Sequence, residues 1–134
     1  MKIFTSSILV SLLLIIAAPA YSDIGPGPQA VQIFICEFND DATSDQVLEM
    51  SAAWLKAARK TEGGENMSVV IRFPIAEGPA GEGDFRFVIT TPTFAEWGAF
   101  TDAYEGSAVS KIDEQFSNLA DCGKSTMWEG IIMK

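Results

Sequence analysis

The strongest strand signal lies at residues 30–38, AVQIFICEF, where β-branched and aromatic residues dominate and apolar side chains occupy both odd and even positions. Successive side chains of a strand point to opposite faces of a sheet. Val31 and Ile33 would share one face, and Phe34 and Cys36 the other. Because both faces are then apolar, both need cover, and the segment is predicted to be a central strand.

The same periodicities predict six further elements. They are strands at 67–73, 84–91 and 125–133, and helices at 44–61, 93–104 and 107–120. Capping-box patterns mark two helix starts, at Thr43 with Gln46 and at Thr93 with Glu96. A turn is predicted at 121–124. The order β-α-β-β-α(α)-β, with a split second helix, predicts a ferredoxin-like α+β domain, in which helices cover one face of a single antiparallel sheet.

The first 22 residues have the composition of an export signal. Lys2 precedes an apolar run over residues 8–18, and the small residues Ala18, Ala20 and Ser22 fit the small-x-small cleavage rule. The run is shorter than the roughly 18–20 apolar residues that cross a bilayer, which disfavours a membrane anchor. We predict a signal peptide at 1–22, cleaved after Ala20 or Ser22, then a Gly/Pro linker at 23–29 and one domain at 30–134. The mature protein would be periplasmic or extracellular.

Acidic residues outnumber basic ones. The formal net charge of the 134 residues is −9, and removal of residues 1–22 leaves 8 basic and 18 acidic residues, a net charge of −10. Such a charge repels nucleic acids and anionic membranes, so neither is predicted as a partner of the mature protein. The sequence contains no histidine. This excludes Ser-His-Asp and Cys-His catalysis, histidine-ligated haem and the usual zinc sites.

Polar residues alternate from Asn39 to Asp45 as they do in a calcium loop. However, Ser44 and Met50 occupy the positions where such loops carry glycine and glutamate. The alternation is also what a turn before a helix needs. We therefore predict no metal site, and the sequence indicates no cofactor.

The two cysteines are Cys36 and Cys122. In the ferredoxin-like arrangement the first and third strands are central, and the fourth runs antiparallel beside the first. The end of the first strand then lies beside the start of the fourth, and export to an oxidising compartment favours a disulfide. We predict a Cys36–Cys122 bond. The alternative is two unpaired thiols, one in the core and one in a turn.

The strand and helix order, together with the aromatic start of the split helix, TFAEWGAF from Thr93, resembles the dimeric α+β barrel superfamily over residues 30–133. The resemblance implies that two protomers pack sheet against sheet and that each retains a small pocket. The superfamily includes cofactor-free monooxygenases, isomerases, haem-dependent enzymes and proteins without known activity. Its haem-dependent members use histidine, which this chain lacks. No catalytic residue of the superfamily maps onto this sequence.

Two arginines fall in predicted strands, Arg72 in the second and Arg86 in the third. Alternation indicates that both face away from the helices, alongside Gln32 and Phe34. Two guanidinium groups beside an apolar cavity could hold a carboxylate or a similar anion. Trp128, on the last strand, is a further candidate for lining this pocket.

Structural roles are the alternative for these residues. The arginines could pair with Glu129 or Asp84 across the strands, because buried charges are usually paired. Trp54 and Trp97 lie on helical stripes and are predicted to belong to the core.

The sequence thus predicts an exported, homodimeric ferredoxin-like protein that binds a small apolar or anionic ligand. A binding role is favoured over catalysis, because no acid, base or nucleophile constellation is present. Two alternatives stay open: a cofactor-independent monooxygenase or isomerase, and a non-enzymatic interaction subunit that uses the acidic surface.

Overall fold

The computed structural model describes residues 27–76 and 83–133. The predicted signal peptide and most of the predicted linker lie outside the described residues. The described elements are β1 (Gln29–Phe38), α1 (Ser44–Ala58), β2 (Ser68–Arg72), β3 (Phe85–Thr91), α2 (Phe94–Tyr104), α3 (Ala108–Phe116) and β4 (Ala120–Gly130).

The four strands form one sheet in the order β2-β3-β1-β4, and every neighbouring pair is antiparallel. The ferredoxin-like α+β fold and the central position of β1 and β3 are therefore confirmed. Within the described ranges, no helix is long and apolar enough to cross a membrane.

One face of the sheet, the helix face, carries the core. Phe85 is fully buried there, and Phe87 lies between helices, with its ring 5.3 Å from that of Trp54 on α1 and 5.6 Å from that of Phe116 on α3. Such edge-to-face contacts are a favourable arrangement of aromatic rings. The predicted apolar stripe of α1 is confirmed at Val47, Trp54 and Ala58, which are buried.

Side chains cap the helices as the sequence predicts. Thr43 and Gln46 form a reciprocal capping box at α1, and the Thr93 hydroxyl accepts a hydrogen bond from the Glu96 N–H at the start of α2. The Glu96 carboxylate also accepts hydrogen bonds from the side chains of Asn66 and Thr93, and these lower its pKa. This cluster joins the segment before β2 to the start of α2.

The last strand begins earlier than predicted. β4 starts at Ala120, not at residue 125, and ends at Gly130, not at 133. Residues 121–124 belong to this strand instead of forming a turn: Asp121 pairs with Glu37 and Lys124 with Ile35, on either side of a shift in register. Just before this strand, the Leu119 carbonyl accepts a hydrogen bond from the Asn39 N–H at 2.9 Å, which extends the β1–β4 contact by one residue of each strand. Pairing of Ala120 with Phe38 at the end of β1 outweighs the turn-forming composition of Asp-Cys-Gly-Lys.

The helices also end sooner than their patterns indicate. α1 ends at Ala58, three residues before the predicted end, and α3 ends at Phe116. The Lys60 and Thr61 N–H groups bond to carbonyls three residues back, which marks a tightened final turn.

The predicted disulfide is confirmed. Cys36 and Cys122 are bonded, with their Cα atoms 4.1 Å apart and 86 residues apart in sequence. A shift of register in the β1–β4 pairing falls between Ile35 and Glu37, which places an irregularity of the sheet beside this bond.

Candidate functional site

A cavity of about 730 Å³ lies between the helix face of the sheet and helices α1, α2 and α3. It exists because the helices do not cover the whole face. β4 is mostly exposed along its length. The lining residues from the sheet are Gln32, Phe34, Phe87, Ile89 and the segment 120–123, and those from the helices include Trp54, Trp97, Phe100, Thr101, Tyr104, Asp113 and Phe116.

Aromatic contacts fix the walls of the cavity. The ring of Phe34 lies 6.5 Å from that of Phe87, and Phe100 lies 5.9 Å from Trp54 and 6.1 Å from Tyr104. All five rings line the cavity. Because most of them also belong to the core, the shape of the cavity is set by the packing that stabilises the fold.

Two hydrogen bonds cross the cavity walls. The Tyr104 hydroxyl, at the end of α2, donates to a carboxylate oxygen of Asp113 on α3 at 2.7 Å. The Trp97 indole N–H donates to the Gln32 side-chain oxygen at 3.3 Å. Burial, followed by the hydrogen bond and negative charge of Asp113, raises the pKa of Tyr104 far above its usual range. The Tyr104 hydroxyl therefore stays neutral at physiological pH.

The five predicted ligand-binding residues do not share one face. Gln32 and Phe34 lie on the helix face and line the cavity. Arg72, Arg86 and Trp128 belong to the opposite, open face, since their registers pair them with each other or with outward-facing residues of β1. The prediction that Gln32 and Phe34 face away from the helices, alongside the two arginines, was wrong. The alternation of β1 itself places Gln32 and Phe34 with the buried Cys36.

The open face has an apolar centre and a basic end. Ile33 and Val88 pair at its centre, where Val88 is buried, and Val70 on the edge strand β2 is 48% exposed. Arg72 pairs directly with Arg86 at one end, and Trp128, which is 58% exposed, pairs with Val31 near the other. An anion-binding role of the arginines stays a prediction for this face.

Sequence reasoning missed the polar pair Tyr104–Asp113. The two residues lie in different helices, nine positions apart, and only the angle between α2 and α3 brings them together. It also assigned Trp97 to the core, whereas the side chain is half-buried and lines the cavity. The break at Gly106, which has a φ of 73° and separates the two helices, was the one visible hint.

No protein-family model matches the sequence, and no curated protein matches it. Solved structures do resemble the fold. A hydroxynitrile lyase from Passiflora edulis superposes with a TM-score of 0.53 at 13% identity, covering 82% of this chain and 97% of that one.

Two further matches are proteins of unknown function that are described as dimeric and ferredoxin-like. The one from Thermobifida fusca has a TM-score of 0.49 at 16% identity, covering 79% of this chain and 92% of that chain. The one from Bacteroides fragilis has a TM-score of 0.42 at 6% identity, covering 78% and 96%. At these identities the likeness concerns the fold alone.

Proposed function

We propose that the protein binds a small, largely apolar molecule in the cavity between its helices and its sheet. The observation that carries this proposal is the cavity itself, about 730 Å³ with walls of aromatic side chains. Ligand pockets are typically about 300–1,000 Å³, mostly apolar, with a few polar groups that orient the ligand. Gln32, Tyr104 and Asp113 are such groups.

A neutral apolar probe tests this proposal. N-phenyl-1-naphthylamine, which fluoresces strongly in apolar surroundings, is titrated into the mature chain with its disulfide intact. A saturable rise in fluorescence is expected. Thr101→Phe, an exposed position that lines the cavity, should weaken binding several-fold.

Ala95→Phe is the matched control, because Ala95 is also exposed on α2 but does not line the cavity. It should leave binding unchanged. A rise that never saturates, or equal weakening by both variants, would refute a ligand site in the cavity. The hypothesis of a non-enzymatic interaction subunit would then remain.

Export and homodimerisation are parts of the same proposal. The Cys36–Cys122 bond supports export, because disulfides persist in oxidising compartments. The open face supports self-association, since an exposed apolar patch on a small domain commonly marks an interaction surface. Val70 and Trp128 contribute the largest exposed apolar side chains of this face.

Light scattering during size exclusion measures the association. The chain from residue 23 should elute at twice its own mass, and Val70→Lys should convert it into a monomer. Leu48→Lys is the control, because Leu48 is 45% exposed, close to the 48% of Val70, but lies on α1. A wild-type monomer would contradict the dimer.

A cofactor-independent proton-transfer enzyme is the second candidate. The Tyr104–Asp113 pair favours it, since a phenol hydrogen-bonded to a carboxylate beside an apolar cavity can exchange a proton with a bound ligand. The named activity of the Passiflora edulis neighbour gives the first reaction to test. Cyanide release from an aromatic cyanohydrin, lost in Tyr104→Phe, would support catalysis, and release equal to the buffer rate would oppose it.

A further inference from the structure

The cavity presents aromatic rings on nearly every side. Seven of its lining residues carry them: Phe34, Trp54, Phe87, Trp97, Phe100, Tyr104 and Phe116. The face of an aromatic ring carries partial negative charge and attracts organic cations, most strongly where water is excluded. These walls therefore suit two ligand chemistries, a neutral apolar body or a cationic one.

The hydroxyl groups around the cavity are already engaged as donors within the protein. Each hydroxyl of the lining donates within the protein: Tyr104 to Asp113 at 2.7 Å, Thr101 to the Trp97 carbonyl at 2.9 Å, and Ser117 to the Glu114 carbonyl at 2.7 Å. What these groups retain is the capacity to accept a hydrogen bond. The Trp97 indole N–H is likewise engaged, with Gln32.

The charged residues of the lining have one sign. They are Asp113 and Asp121, and no lysine or arginine lines the cavity within residues 27–76 and 83–133. Asp113 has a second carboxylate oxygen beyond the one that accepts from Tyr104, and a carboxylate only accepts hydrogen bonds. The net charge of −10 on the chain without residues 1–22 adds a field that attracts cations.

We propose that the ligand of this cavity is an organic cation, a protonated or quaternary amine on an aromatic or alkyl body. The aromatic rings would enclose the body, and Asp113, with Asp121 nearby in the lining, would balance the charge. This inference rests on the proposed function and names the ligand class for the same cavity. Arg72 and Arg86 led us to expect an anionic ligand, but both lie on the other face of the sheet. The ligand inferred for the cavity has the opposite charge.

Three ligands of nearly equal shape separate charge from shape: 2-phenylethylamine, 2-phenylethanol and phenylacetate. Each is titrated calorimetrically into the mature, disulfide-bonded protein at pH 7 and low salt. The amine should bind about tenfold more tightly than the alcohol, and the acid most weakly. Added salt should reduce the preference for the amine and leave the affinity for the alcohol nearly unchanged.

Asp113→Asn and Asp121→Asn should each weaken binding of the amine several-fold more than binding of the alcohol, so that the preference for the amine shrinks. Asp102→Asn, an exposed charge on α2 outside the lining, removes the same charge and should leave the preference in place. Because Asp113→Asn alters the contact with Tyr104, its fold is checked by circular dichroism, and Asp121→Asn provides an independent reading.

The outcomes distinguish the two claims. Equal binding of amine and alcohol would overturn the inference of a cation and leave the binding cavity standing. Tighter binding of phenylacetate would overturn it as well. If none of the three ligands binds, and N-phenyl-1-naphthylamine does not bind either, both the inference and the proposed function are refuted.

Discussion

Tyr104 is the residue in which burial and electrostatics act together most clearly. Its side chain is half-buried at the end of α2 and donates to Asp113 at 2.7 Å. Burial disfavours the phenolate, and the nearby carboxylate disfavours it further, so both effects raise the pKa of Tyr104. The residue thus holds its proton and points that proton at Asp113.

The raised pKa predicts that Tyr104 ionises at a higher pH than a free tyrosine. In a chain that begins at residue 23, Tyr104 is the sole tyrosine, since the only other is Tyr21. Absorbance at 295 nm should show no tyrosinate in the folded protein at about pH 10, where an unfolded tyrosine is half-ionised. Because the folded state holds the proton more tightly, Tyr104 stabilises the fold below about pH 10, and this contribution is lost as the pH rises further.

Asp113→Asn should lower the pKa of Tyr104 only part of the way to its usual value, because burial is the larger cause of the raised pKa and remains in the variant. A folded protein whose Tyr104 titrates at about pH 10, as a free tyrosine does, would contradict the assigned contacts.

Among the elements, α2 is positioned by an unusually close approach. Gly63, in the segment between α1 and β2, has a φ of 78°, and a Cβ atom there would overlap the Glu96 carbonyl and the Phe100 amide of α2. Only glycine adopts this conformation readily and leaves room for the neighbouring backbone. The approach holds α2 at the angle that frames the cavity.

Two glycine substitutions should therefore act in opposite directions. Gly63→Ala is expected to lower the free energy of unfolding by about 2 kcal/mol or more, through backbone strain and overlap. Gly98→Ala, within α2 and with open space around it, should raise the free energy by about 0.5–1 kcal/mol. Urea denaturation measures both, and a neutral Gly63→Ala would refute the close approach.

The disulfide ties β1 to β4, the strand whose start was predicted five residues too late, at 125 and not at 120. Replacing both Cys36 and Cys122 by alanine should lower the free energy of unfolding by about 4 kcal/mol, because the unfolded chain regains the freedom of a loop that spans 86 residues. Reduction of the wild type should give a similar loss without changing any side-chain volume. A loss below about 1 kcal/mol in both experiments would contradict a stabilising bond.

At the scale of the whole molecule, periodicity was enough to predict the fold. The strand-like composition of β1 and the apolar stripe of α1 identify both elements, because the hydrophobic effect acts on each element through its own period. The order of elements then leaves few topologies, and the pairing of Cys36 with Cys122 follows from the one that forms.

The candidate site could not be predicted from the periodicity of the sequence as the fold was. The cavity depends on the angles at which α2 and α3 cross the sheet and on how far β4 extends beyond them, and both are tertiary properties. Gln32 and Phe34 were identified as candidates, but the arginines with which they were grouped lie on the opposite face. Asp113 carried no local pattern at all, since an exposed aspartate on a helix is ordinarily a solvated residue.

A ligand bound on the helix face of the sheet would shift the amide resonances of the residues that line the cavity. Backbone amide chemical shifts, recorded during titration of the ¹⁵N-labelled mature protein with N-phenyl-1-naphthylamine, test this binding site most directly. We expect the largest changes on the cavity lining, at Gln32, Thr101, Tyr104 and Gly123. Changes centred on Arg72, Arg86 and Trp128 would place the ligand on the open face and contradict it.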